Sequence, residues 1–475
     1  MASNLAQKTV GVESYGYKQE LKRSLTTVDL VIYGMVFMLP IAPWAVFGVV
    51  YNQSLGMVPL IYLIGVVAMI FTALSYAQMS KRVPLAGGVF SYVTAGINPS
   101  VGFFAGWLML LDYLLVPTLL YVFGAESMVG LFPNTERWVW GILFVLVNTI
   151  INLLGVTSLK NLNRLFIAVQ LFFIVAFVVI AISAIATGSA PGANWSFDPM
   201  WDSSKVTAPL LAGALSLALL SFLGFDGIAM MSEESSGGRK SGGRAMVLAL
   251  IVMATLFIVQ TWLASLLAGG ADSFSAEEEN NAFFTIVAAA ASSGWAQAFL
   301  VVNAFAVGIA NAMAGQAATS RLLYSMARDG RLPKFLSKVS RKQVPANALI
   351  FVAVLTTILV VFFVGQIELI SSLVTIGALL GFLMLHFTVI WALFIKNRDG
   401  RSVLNHLILP GIGFLIIGYV VLNAGTAAQL GGAAWILVGV IVFFVTRKQV
   451  RGLSATTVGQ GRGFVTSQQT EKAES

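Results

Sequence analysis

The chain has 475 residues, 58% of them hydrophobic and only 10% charged, against about a quarter charged in ordinary soluble domains. That much apolar surface must face lipid, which excludes a soluble enzyme, a disordered chain and a coiled coil. Cysteine is absent and histidine occurs twice, so there is no disulfide framework, thiolate nucleophile or zinc motif, and no cofactor or metal is expected. The net charge of +8 lies between apolar segments, where it reports topology rather than a nucleic-acid surface.

Residues Met1 to Lys22 are polar with no apolar h-region, so they are not read as a signal peptide. Apolar runs of about 20 residues predict an all-α polytopic membrane protein with twelve transmembrane helices. They lie near 26–51, 56–80, 99–129, 138–156, 162–187, 207–232, 243–269, 283–327, 346–365, 367–395, 404–425 and 431–446. The stretch 283–327 is too long for one span, so a short outer helix over 281–291 is expected before it. No ten-residue alternation appears, which excludes a β-barrel.

Lys and Arg sort the loops into two sets. Of the 28 basic residues, only Arg137 and Lys205 fall on the side that also holds Asp198, Asp202, Asp272 and Glu277–Glu279. Both termini are therefore expected in the cytoplasm, with the basic stretch Arg328 to Lys342 as an inner loop. The chain divides into a cytoplasmic tail (1–23), a transport core (24–396), two additional spans (402–447) and a disordered tail (448–475) rich in Gly, Ser, Thr and Gln from Gly452.

Two spans break near their middles. Pro40-Ile41-Ala42-Pro43 puts two prolines at membrane depth, where each removes a backbone donor and clashes with the preceding turn. Ser221-Phe222-Leu223-Gly224-Phe225-Asp226-Gly227 brackets an aspartate with glycines. Unwound backbone at that depth survives only when it is buried in protein or lines a wet cavity. The breaks fall in corresponding places if about 24–190 and 205–396 are two inverted repeats, which would set a substrate site between them.

Several motifs then occur in a fixed order: Arg82-Val83-Pro84-Leu85-Ala86-Gly87-Gly88, Asn98-Pro99-Ser100-Val101-Gly102-Phe103, Gly106-Trp107, Leu111-Asp112-Tyr113-Leu114, Gly224-Phe225-Asp226, Ser232-Glu233-Glu234 and Ser320-Arg321-Leu322-Leu323-Tyr324. In these the chain resembles the amino acid/polyamine/organocation permeases, in particular the putrescine-importer-like bacterial members. The resemblance implies a five-plus-five inverted repeat with two further helices and secondary transport by alternating access. It departs at Pro40–Pro43, where the family has a Gly-rich break, and this favours an amine, or an altered binding pose, over an ordinary α-amino acid.

Candidate substrate-binding residues are Pro40, Ile41, Ala42, Trp44, Asp112, Ser221, Phe222, Gly224, Phe225 and Asp226. Asp226 can meet a substrate ammonium or carry a coupling proton, because an ionisable group inside a span is functional by default; its alternative role is to tie off local backbone. Asp112 offers a second acceptor for a diamine or braces a neighbouring helix. The aromatic rings can hold an ammonium through their faces, and Phe222 matches the family's gate region. Glu233 and Glu234 read as an inner salt-bridge latch, and the lone histidines His386 and His406 as structural. Asn303, Asn311 and Gln316 in span eight can join a cation site or bond between helices.

The expected protein is a transporter, not an enzyme. It would import a small amine, putrescine-like ahead of a neutral amino acid, with the proton as coupling ion, in a bacterial inner membrane, as a monomer or homodimer among lipid. A neutral amino acid permease or an exchanger is the alternative within this fold, and a channel or an integral-membrane enzyme the alternative outside it.

Overall fold

A computed structural model describes residue 12 and residues 17–204, 207, 215, 218–238, 240–269, 271–275, 278–279, 281–397 and 400–457, with 446–457 as backbone alone. Lys205, Arg239, Glu277 and the tail beyond 457, all used in the topology reading, lie outside the described residues. In chain order the helices are α1 (Thr27–Met38), α2 (Ala42–Ser54), α3 (Val58–Ser80), α4 (Val89–Gly96), α5 (Pro99–Leu131), α6 (Arg137–Leu154) and α7 (Val156–Thr187). Then come α8 (Ala218–Met230), α9 (Ser241–Leu267), α10 (Ala282–Ala290), α11 (Ser293–Arg328), α12 (Ala346–Phe363), α13 (Ile367–Lys396), α14 (Leu404–Leu422) and α15 (Thr426–Thr457). Among the described residues, 10 helices are long and apolar enough to cross a membrane, and the count is 11 if the bent pair α1–α2 is one broken span. α8 is a shorter apolar helix. The molecule is an all-α polytopic membrane protein.

Local chemistry sets the helix ends. Thr26 caps α1: its Oγ1 accepts from the Asp29 N–H at 3.2 Å, and Asp29 Oδ2 accepts the Thr26 N–H at 3.0 Å, a reciprocal capping box. The same carboxylate holds Lys160 at 2.8 Å and Arg164 at 2.6 Å. Both cations stand on the first turns of α7, because Gly155 alone, at φ 109°, turns the chain from α6 into α7. The short helix expected over 281–291 is present as α10, and residues 448–457, expected in a disordered tail, continue α15.

α5 is the central post. Of its most apolar stretch 78% is buried, against 17% for α15, whose Val445 is 72% exposed. Such outward apolar faces suit lipid contact. α3 packs chiefly on α9, and α5 on α13.

α1 stops at Met38 and α2 starts at Ala42, with a 44° bend between them. Pro43 sits in the first turn of α2, where its missing N–H leaves no bond unmade. The break needs a brace, and Gln260 of α9 supplies it. Its Nε2 donates to the Pro40 carbonyl at 3.1 Å, and its Oε1 accepts the Trp44 indole N–H at 2.8 Å. α8 unwinds over residues 223–226. Gly224 there has φ 115°, and a Cβ on it would lie 2.7 Å from the Phe37 carbonyl oxygen. The two breaks therefore touch backbone to backbone, and only glycine permits that approach.

Gln260→Leu strands a buried carbonyl and a buried indole N–H, a loss of about 2–4 kcal/mol. Thermal unfolding of the detergent-purified protein should show a clearly lowered midpoint, and Gln260→Glu, which keeps the acceptor for Trp44, a smaller fall. A wild-type midpoint for Gln260→Leu would mean that the break needs no brace.

Candidate functional site

Where the breaks meet, the helices leave a cavity of about 80 Å³. That exceeds the roughly 10–15 Å³ a cavity needs to admit a water, so it has room for water or a small solute. Its wall comes from α1 and α2 with the break between them (Phe37, Leu39, Ala42, Val46), α5 (Asp112, Tyr113, Val116, Phe123), α8 (Ser221, Gly224, Asp226) and α11 (Val307, Asn311). Among the described residues, the lining includes two carboxylates and no Lys, Arg or His.

The two acids differ in their surroundings. Asp226 is 2% exposed. Its Oδ2 accepts from Tyr113 Oη at 2.6 Å and from Tyr76 Oη at 3.4 Å, and its Oδ1 accepts the Gly224 N–H at 3.3 Å. Asp112, equally buried, leaves Oδ1 with no hydrogen-bond partner, and so does Asn311 with its own Oδ1. A buried acceptor without a donor is costly. Two of them on one cavity wall fit a ligand that brings N–H groups.

Of the residues singled out in the sequence, Ala42, Asp112, Ser221, Gly224, Asp226 and Asn311 line this cavity. The others stand behind it. The Pro40 carbonyl bonds Gln260, and Ile41 is fully buried. Trp44 stacks on Phe283 of α10, with centroids 4.9 Å apart and planes at 9°. Phe222 packs on Tyr62 and Phe257, toward α3 and α9. Phe225 packs on Tyr76 and Phe382. Tyr76 and Gln260 were missed, although a lone amide in the apolar run of α9 is a signal for interhelical bonding. His386 is held by Thr72 Oγ1 at 3.1 Å and Ser75 Oγ at 3.0 Å, away from the cavity.

One end of the bundle is sealed by charge. Arg321 of α11 pairs with Glu234, and both are buried. Arg328 reaches both oxygens of Glu233, at 2.8 and 3.0 Å, and Glu233 Oε1 also accepts the Ala86 N–H at 2.9 Å. The chain before α1 lies across these pairs. Tyr17 stacks under the Arg328 guanidinium at 4.2 Å and donates to Asp329 Oδ1 at 2.9 Å. Burial first, and the Asp329 charge second, push the Tyr17 phenol above its ordinary pKa, so it remains a donor. Glu20 accepts from Tyr324, and the Ser24 and Leu25 N–H groups both donate to the Glu234 carbonyl at 3.0 Å.

Comparison with known proteins agrees with this architecture. The family described as amino acid permease matches residues 24–456. The low-affinity putrescine importer PlaP of Escherichia coli (strain K12) is 29% identical over 437 residues, 91% of this chain and 95% of that protein. The branched-chain amino acid permease BcaP of Lactococcus lactis is 26% identical over 456 residues, 88% of this chain and 93% of its own length. A vacuolar cationic amino acid transporter of Arabidopsis thaliana is 24% identical over 388 residues, 76% of this chain and 62% of that protein.

The chain has no cysteine, so one introduced thiol reports on the sealed end. Ser320→Cys, fully buried beside Arg321, should react slowly with a membrane-impermeant maleimide. Adding Glu234→Gln leaves Arg321 buried and unpaired, which disfavours the sealed form by about 3–5 kcal/mol. Labelling should then accelerate at least about tenfold. An unchanged rate would reduce the ion pair to a bystander.

Proposed function

The chain belongs to the amino acid permease family, and we propose that it is a secondary transporter importing a small amine, putrescine-like, by alternating access. The observation that carries this reading is the chemistry of the cavity wall, which among the described residues offers two carboxylates and no cationic side chain. A substrate carboxylate would need free amides at the breaks. Ala42 N–H already bonds the Leu39 carbonyl at 2.8 Å, Trp44 N–H bonds the Ile41 carbonyl at 3.0 Å, and the Gly224 N–H goes to Asp226. Pro40 and Pro43 have no N–H at all. Ammonium groups are therefore better served than a carboxylate.

In this reading Asp226 and Asp112 meet the two ends of a diamine, and Asp226 also exchanges the coupling proton. Glu233 and Glu234 latch the cytoplasmic end, and Phe222 moves as part of α8. The twelve spans form a five-plus-five inverted repeat and two further helices, in a bacterial inner membrane with both termini cytoplasmic, as a monomer or homodimer. The likeness to BcaP favours a second reading, a neutral amino acid permease.

Uptake of radiolabelled putrescine into proteoliposomes under an inward proton gradient separates them. Wild type should concentrate putrescine. Asp226→Asn should lose accumulation, and Asp112→Asn should raise KM about tenfold, in line with loss of one charge-assisted hydrogen bond. Leucine uptake that survives Asp226→Asn, with no putrescine uptake, would replace the amine reading with the second one.

A further inference from the structure

α11 does not pass the cavity as a regular α-helix. Residues 306–311 wind as a π-turn, which widens the helix by one residue and frees backbone groups from the i→i−4 ladder. The Gly308 carbonyl in that turn is bonded from outside. Asn148 of α6 donates to it through Nδ2 at 2.9 Å, and the same nitrogen lies 3.4 Å from Tyr121 Oη. Asn148 is fully buried and does not line the cavity.

The turn is also pressed on both sides. A Cβ on Gly308 would sit 2.7 Å from the Phe144 ring of α6, and a Cβ on Gly124 of α5 would sit 2.7 Å from Gly308 Cα. Val307 and Asn311 of the same turn reach the cavity, and Asn311 brings its unpartnered oxygen there. If the turn relaxed to α-helical winding, one residue of register would be lost. The wall on one side would then rotate about 100° relative to the other, so Val307 and Asn311 could not both keep their places.

We infer that Asn148 is a positioning residue for the substrate site: it holds the Gly308 carbonyl, keeps the π-turn, and so presents Asn311 Oδ1 to a substrate N–H. This rests on the reading of the cavity as the place where substrate binds. The interface does not depend on Asn148 alone. Asn152 donates to the Met313 carbonyl at 3.1 Å and to Gln316 Oε1 at 2.9 Å, and Gln316 donates to Thr149 at 2.9 Å. Loss of one rung therefore leaves α6 tied to α11.

The test is a double-mutant cycle on the full chain, read by equilibrium binding of radiolabelled putrescine. Asn148→Ala and Asn311→Ala should each weaken binding about three- to tenfold, the range for one hydrogen bond. The double variant should bind no more weakly than Asn311→Ala alone, because Asn148 acts through Asn311. Additive losses overturn the proposal, and so does wild-type affinity for Asn148→Asp, which keeps the shape and removes the donor. Hydrogen exchange supplies a readout free of ligand. Amides of 306–311 should exchange faster in Asn148→Ala while those of α12 stay as in wild type, and unchanged exchange at 306–311 overturns it. If wild type binds leucine instead of putrescine, the amine reading fails while the same cycle, run with leucine, still decides the role of Asn148.

Discussion

Lipid supplies no hydrogen bonds, so every peptide group released from a helix at membrane depth must find its partner inside the protein. That constraint organises the centre of this molecule. Around the cavity the winding is interrupted between α1 and α2, in α8 and in α11, and at each place a side chain answers a released backbone group. The carbonyl of Pro40 is met by Gln260 and the carbonyl of Gly308 by Asn148, while the Gly224 N–H turns to Asp226. The bracing amides come from α9 and α6, which reach the breaks from outside the cavity. The cavity can therefore present free acceptors without loosening the backbone that frames it.

The buried acids divide along the same axis. Glu233 and Glu234 are matched by Arg328 and Arg321 in a bidentate fashion, so their charge is spent within the protein. Asp226 is matched only by neutral donors, the two tyrosines and one amide, and Asp112 Oδ1 by none. A carboxylate held by neutral groups keeps an attraction for a cation that a salt-bridged one has lost. The charge left over at the breaks, together with the absence of cationic side chains among the described residues of the wall, is what selects a ligand in the proposed reading.

Composition and proline placement made much of this legible. The number of residues that must face lipid, the break at Pro40–Pro43 and the bracketed Asp226 all follow from residue types and spacing. Pairing of Glu233 and Glu234 was also foreseeable from the dense basic residues nearby. The aromatic candidates were a different matter. Trp44, Phe222 and Phe225 lie within a few residues of the breaks in sequence, yet their rings turn toward α10, α9 and α13. Which face of an unwound segment meets the cavity depends on local dihedrals that no periodicity encodes, and Gly224 at φ 115° is the case in point. The π-turn in α11 was equally hidden, since its sequence Ala-Val-Gly-Ile-Ala-Asn is ordinary helix until Asn148 meets it.

The two ends of the bundle are closed by different forces, and that difference bears on alternating access. Near α10, Trp44, Phe283 and Phe299 pack ring on ring, so parting them exposes apolar surface to water at a cost that grows with area. At the other end the seal is ionic. A buried ion pair contributes little net stability because desolvation offsets attraction. Opening that end returns Arg321, Glu234, Arg328 and Glu233 to water, which recovers the hydration they gave up. The ionic end can therefore open with little net change in free energy while both partners are present. Removing one partner abolishes that balance, because a single buried charge has no counterweight in the sealed form. A latch of this kind holds by matching rather than by strength, which suits a carrier that must visit two states of similar energy.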